Sequence, residues 1–155
     1  MFILLCGTGV GFSVESKYIN QLPDVPEKLF NSEHTLQVHD SKEGWAKALR
    51  LLIAHLYAGE IPKWDVSKVR PAGTRLKTFG GRASGPEPLE DLFNFTVNLF
   101  KNAHGRKLHS LECHDLMCKI GEVVVVGGVR RSAMISLSDL DDERIRHAKI
   151  GRAHV

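Results

Sequence analysis

The 155-residue sequence has no apolar run approaching the roughly 18 residues that a bilayer span requires. Its opening MFILLC is too short for a signal peptide and lacks the basic flank that such a peptide carries. These two absences predict a soluble, cytoplasmic chain with no membrane partner. Cysteine is scarce as well: Cys6, Cys113 and Cys118 make no paired framework, so reduced thiols in a cytosol-like compartment are expected rather than a disulfide scaffold. A nucleophile elbow, an HExxH pair, a nearby acid pair and an internal repeat are all missing. No catalytic constellation is evident.

What is present is globular in composition, with 43% hydrophobic and 25% charged residues, enough for one domain with a real core. The formal charge of +3 says little, but its distribution says more. Lys63, Lys68, Arg70, Arg75, Lys77 and Arg82 follow one another with Asp65 as the only acid among them, and such a run favours an anionic partner. On charge alone a solvated face is the default. Residues 139–143 are acidic by contrast.

Residues 4–14 begin as an apolar, strand-like run and then place Gly7, Gly9 and Gly11 at alternate positions before resuming at Phe12. Residues 16–37, with Pro23 and Pro26 and little periodicity, predict irregular connection. Asp40 and Glu43 have capping-box spacing, and Trp45, Leu49, Leu52, Ile53 and Leu56 then recur at helical steps until Gly59 and Pro62. Residues 71–88 are broken by glycine and proline yet carry arginine, lysine and Phe79, which marks a structured loop rather than a linker. A helix is expected over about residues 88–103, with Leu89, Leu92, Phe93, Val97 and Phe100 on one face. Another is expected over about 110–120, stopping at Gly121.

The valine-rich residues 122–126 predict a short strand buried on both faces, as in a parallel sheet. Residues 133–137 read as extended, and residues 138–141 as the cap of a last helix through His147. Strands, glycine turns and amphipathic helices in this alternation define an α/β architecture.

The glycine pattern at Gly7, Gly9 and Gly11 has neither dinucleotide-fingerprint spacing nor the lysine of a phosphate-binding Walker loop. It either permits tight strand packing or leaves backbone amides open to a phosphate or sugar. His104, His109, Cys113, His114 and Cys118 do not complete a tetrahedral set, since on a helix the two cysteines point to nearby faces and His109 and His114 to others. No metal is expected there. Two glycine-and-arginine loops remain, residues 70–85 and 127–132. Arginine's planar fork suits bidentate phosphate contact and glycine lets the backbone change conformation, so the loops suggest a phosphorylated small molecule or nucleic acid.

Three stretches carry a family resemblance: LLCGTGVGFSVE, VRPAGTRLKTFGGRASGPEPL and ECHDLMCKIGEVVVVGGVRRSAMISLSD, in this order. Over residues 3–149 the chain resembles the monomeric, adenosylcobalamin-dependent ribonucleoside-triphosphate reductases. The resemblance implies a partial ten-stranded α/β barrel, with residues 1–149 a fragment of it and about 15–68 an insertion that completes an effector site. It implies that Arg70, Arg75, Lys77 and Arg82 meet the phosphates of an allosteric deoxynucleoside triphosphate. Gly127, Gly128, Val129, Arg130, Arg131 and Ser132 would form the substrate-specificity loop, with Arg130 reaching toward the substrate base. Gly7, Thr8, Gly9, Gly11 and Ser13 would mark a strand end near the nucleotide.

The implied whole enzyme is a cytoplasmic monomer without a nucleic-acid partner, taking ribonucleoside triphosphates, adenosylcobalamin and a thioredoxin-like reductant. The family's finger-loop pattern Asn-x-Cys-x-Glu is absent here, and Cys6, Cys113 and Cys118 occupy none of the family's redox positions. The cobalamin-binding region is absent too, so the fragment alone is expected to be inactive. Residues 150–155, IGRAHV, fit nothing before them and back-translate to a sequence resembling a short-read sequencing adapter. They are expected to be a non-native tail.

The alternative reading is a non-enzymatic nucleic-acid- or nucleotide-binding module built on the basic run. It predicts binding that falls steeply with salt, but only Trp64 and Phe79 lie close enough to offer stacking platforms. A third expectation is that an incomplete barrel exposes strand edges and aggregates.

Overall fold

A computed structural model describes residues 1–77, 81–126 and 133–148. In chain order the elements are α1 (Phe2–Leu5), β1 (Val10–Ser13), α2 (Ser16–Ile19), β2 (Phe30–Gln37), α3 (Lys42–Tyr57), β3 (Glu60–Asp65), α4 (Glu87–Asn102), α5 (Ser110–Val126), β4 (Met134–Leu137) and α6 (Glu143–Ala148). Both strand pairs are parallel, β1 with β4 and β2 with β3. Parallel neighbours need a crossover, and α3 supplies it for β2 and β3 while α5 leads into β4. The expected α/β character is present; among the described residues it takes the form of two two-stranded sheets.

Helix α3 forms where the apolar periodicity places it, but its cap is displaced by one residue. The Ser41 hydroxyl, not Asp40, accepts from the Gly44 amide at 2.9 Å, and this frees Asp40 to engage Arg70. At the other end Gly59 adopts φ +86°, the left-handed conformation that a helix stop uses and that a side chain would strain. Helix α4 starts at Pro86–Glu87 and turns Leu89, Leu92, Phe93, Val97 and Phe100 inward, as its spacing predicts. Those side chains meet Leu49, Leu52 and Leu56 of α3 and Ile120, Val123 and Val124 of α5 in one core. Trp64 of β3 packs edge-on against Phe93 at 5.4 Å between centroids, and Tyr57 against Phe100 at 4.9 Å.

Several expectations are corrected. Residues 122–126 are not a strand: α5 runs through Gly121 to Val126. Four valines cost a helix only about 0.5 kcal/mol each relative to alanine, roughly 2 kcal/mol together. Burial of Val123 and Val124 returns about 1.5 kcal/mol or more apiece, and the preceding turns already provide the helical nucleus. Gly121 does not stop the helix either. A Cβ there would lie 2.6 Å from the Met134 methyl, so the glycine lets β4 approach α5.

The apolar opening is likewise a short helix, α1, and the strand begins only at Val10. Residues 16–37, read as irregular, contain α2 and the eight-residue β2. The strand was hidden because β2 is largely exposed, with only Leu36 buried, so its sequence lacks an apolar alternation. Asp142, just beyond residues 138–141, caps α6 by accepting from the Ile145 amide at 3.1 Å.

The start of α5 is held by Glu112. Its carboxylate accepts from Arg106 Nη1 at 2.6 Å and Nη2 at 3.2 Å, and from the His109 amide at 2.8 Å. Burial works to raise this carboxyl; the guanidinium and the amide outweigh it and leave it below its ordinary 4.5. A depressed carboxyl contributes stability that is full above 4.5 and is lost as pH falls through the lower folded value. Glu112→Gln is therefore expected to cost about 1 kcal/mol near neutral pH. It should also flatten the acid-induced loss of stability, which urea titrations at a series of pH values would measure.

Candidate functional site

The loop that carries the basic run is closed on itself. Arg75 and Arg82 pair in an isolated antiparallel bridge. The Gly73 amide donates to the Ala83 carbonyl at 2.9 Å and the Ala83 amide to Thr74 at 2.7 Å. Arg82 Nη1 donates to the Gly73 carbonyl at 2.9 Å. Gly85 is buried with φ +78°, and a Cβ there would lie 2.9 Å from the Ala72 nitrogen, so only glycine fits this closure. Residues 78–80 of the loop, Phe79 among them, lie outside the described residues.

The cations of the run have separate fates. Lys63 reaches Glu33 at 3.2 Å from the exposed side of β3. Arg70 is anchored: its backbone amide donates to Asp40 Oδ2 at 3.3 Å and its Nε forms a short ion pair with the same oxygen. This ties the base of the loop to the segment just before α3. Arg75, Lys77 and Arg82 stand exposed on the loop itself. Of the four residues expected to meet phosphate, three are therefore exposed on the loop, and Arg70 is half-buried at its root.

The glycine-rich segment joins the fold through β4. The Val10 amide donates to the Ala133 carbonyl at 2.9 Å, which places Gly9 and Val10 beside the chain that emerges from residues 127–132. Gly127, Gly128, Val129, Arg130, Arg131 and Ser132 themselves lie outside the described residues. In sequence they connect a helix to a strand, α5 to β4, rather than two extended segments. Gly7 needs its glycine, at φ +80°. Gly11 would meet nothing within 4 Å of a Cβ and Gly9 makes only an ordinary 3.6 Å contact, so tight packing does not explain either. Thr8 Oγ1 donates to the Ile3 carbonyl at 3.0 Å and Ser13 Oγ to Glu15 at 2.6 Å. Among the described residues no hydrogen bond or ion pair joins this segment to the loop of residues 70–85.

Two features escaped the sequence. Asp40 was taken up by the capping pattern, and its role as partner of Arg70 depends on residues thirty positions apart. His114 and Cys118 were placed on different helix faces, yet four residues along α5 brings His114 Nε2 to 3.5 Å from Cys118 Sγ. No group of three or more metal-binding side chains exists among the described residues.

A family model described as "B12-dependent ribonucleotide reductase, insertion domain" matches residues 13–100. The chain belongs to the B12-dependent ribonucleotide reductase family. It is 33% identical over 179 residues to the adenosylcobalamin-dependent ribonucleoside-triphosphate reductase of Lacticaseibacillus paracasei, covering 90% of this chain and 24% of that protein. The enzyme of the same name from Euglena gracilis is 34% identical, covering 88% of this chain and 19% of its own length. A crystal structure of a B12-dependent, class II ribonucleotide reductase superposes with a TM-score of 0.83 at 26% identity, over 96% of this chain and 25% of that one. The chain thus spans between about a fifth and a quarter of the length of these relatives.

Proposed function

We propose that this chain is the effector-reading part of a reductase that converts ribonucleoside triphosphates to 2′-deoxyribonucleoside triphosphates. The observation that carries the reading is the self-closed loop presenting Arg75, Lys77 and Arg82 to solvent within a family whose relatives bear that enzyme name. In this reading residues 1–149 are part of the family's ten-stranded barrel and about 15–68 are the insertion that completes the effector site. The three exposed cations, with Arg70 at the loop's base, bind the triphosphate of a deoxynucleotide effector. Residues 127–132 carry its base identity to the substrate, with Arg130 as the reader.

The effector biases that loop only through its differential affinity for two loop conformations, and couplings of this kind are worth roughly 1 to 3 kcal/mol. In this reading Gly7, Thr8, Gly9, Gly11 and Ser13 mark the strand end near the nucleotide; the open space around the Cα atoms of Gly9 and Gly11 supports a close approach there.

The groove beside Cys118, about 400 Å³, is too small for a corrin with its adenosyl ligand, so adenosylcobalamin is proposed to bind elsewhere in the whole enzyme. No step of the nucleotide reduction is assigned to this chain. The whole enzyme is proposed to be a cytoplasmic monomer using a thioredoxin-like reductant; for this chain, among the described residues, no helix is long and apolar enough to cross a membrane.

The nucleic-acid reading is less well supported, because Trp64 is partly buried and engaged with Phe93, which makes it a poor platform for a base. Calorimetric titration of the chain with each deoxynucleoside triphosphate and with a single-stranded oligonucleotide separates the two. The proposal expects saturable one-to-one nucleotide binding. Tighter oligonucleotide binding with a steep salt dependence and no nucleotide binding would favour the module instead.

A further inference from the structure

Helix α5 carries a reactive-group array that the effector reading does not use. His114 is buried, 5% exposed, and its ring sits 6.1 Å from that of Phe12 on β1. Its Nδ1 lies 3.0 Å from Ser136 Oγ on β4, and its Nε2 lies 3.5 Å from the sulfur of Cys118, which is exposed. A thiol, an imidazole and a hydroxyl that orients the imidazole are the parts of an activated nucleophile.

The arrangement favours the thiolate in either ring tautomer. If Nδ1–H donates to Ser136, Nε2 holds a lone pair that accepts the Cys118 proton. If Ser136 donates to Nδ1, the Nε2–H donates to the thiolate. The charged neighbour one turn on, Glu122, is paired with Lys119 at 3.4 Å, which blunts its repulsion of a thiolate. The sulfur also edges a groove walled by Val125, Val126 and Met134, which can seat the carbon part of a small reagent.

We propose that Cys118 is a His114-activated thiol and the site on this chain that forms mixed disulfides with low-molecular-weight disulfides. The Cys118 thiolate attacks one sulfur of the reagent, the new S–S bond forms as the old one breaks, and the expelled thiolate takes up the proton that left Cys118. The reagent is the oxidant: Cys118 is oxidised to the mixed disulfide and the departing half is reduced to a thiol. No further co-reactant is needed.

Oxidised glutathione added to the folded chain near neutral pH, followed by acid quench and peptide mass mapping, measures the rate at each cysteine. Cys6, exposed, and Cys113 serve as internal references. Burial, with the Glu112 charge, pushes the Cys113 thiol up to about 11, so it should stay unmodified. The gain in thiolate fraction from the His114 contact outweighs the accompanying loss of intrinsic nucleophilicity, so Cys118 should react about threefold or more faster than Cys6. His114→Gln should bring Cys118 down to the rate of Cys6, with folding checked by circular dichroism, and Ser136→Ala should lower it in part. A Cys118 rate in the parent chain no higher than that of Cys6 overturns the proposal, whether or not the variants fold. So does an unchanged rate in folded His114→Gln.

Discussion

Replacing both Arg75 and Arg82 by alanine is expected to weaken deoxynucleoside triphosphate binding by about a hundredfold. Each guanidinium forms charge-assisted, fork-shaped bonds to phosphate worth about 1.5 kcal/mol or more, and about 1.4 kcal/mol is a factor of ten in affinity. The two positions are not equivalent. Arg75 is exposed on the loop, so Arg75→Ala should remove charge and leave the loop intact. Arg82 also donates to the Gly73 carbonyl, so Arg82→Ala loses a loop-closing bond as well and should be the more damaging single change. Calorimetry of the two single variants and the double variant checks the order. Equal and negligible effects would mean that the loop does not hold the phosphates.

The largest stability effect is expected at Phe93. Its side chain is fully buried where α4 meets Trp64, and it belongs to the core that joins α3, α4 and α5. Phe93→Ala removes the ring and leaves a cavity that close-packed neighbours fill only in part, at a cost of about 3 to 5 kcal/mol. Against a total of roughly 5 to 15 kcal/mol for an ordinary domain, this leaves the variant close to unfolding. The urea midpoint followed by circular dichroism should fall sharply. Loss below about 1 kcal/mol would place the core elsewhere.

The amphipathic helices were legible because their apolar positions repeat along the very faces they bury, as at Leu89, Leu92, Phe93, Val97 and Phe100. The valine run of α5 was misread because local β-propensity, a few tenths of a kcal/mol per residue, was weighed without the partner that buries Val123 and Val124. β2 was missed for the opposite reason: an exposed strand paired on β3 has little apolar pattern to show. At the site, the basic loop was visible as composition, whereas the Asp40–Arg70 tie and the His114–Cys118 contact required the fold or the helical step to bring them together.

The Arg70–Asp40 pair also bears on how the loop works. Asp40 receives both the Arg70 amide and its guanidinium, so the first cation of the loop is fixed in place while those beyond it face solvent. In the proposed reading, anchoring one end of the loop in this way lowers the entropy lost on binding a polyphosphate.

The measurement that bears most directly on the proposed role is substrate preference in the complete enzyme carrying Arg130→Ala. Turnover of the four ribonucleoside triphosphates would be compared in the presence of each deoxynucleotide effector, with effector affinity measured alongside. The account predicts that discrimination among substrates collapses toward a common value while effector affinity changes by less than about threefold, because a coupling of roughly 1 to 3 kcal/mol passes through that side chain. An effector-dependent pattern identical to that of the parent enzyme would contradict it.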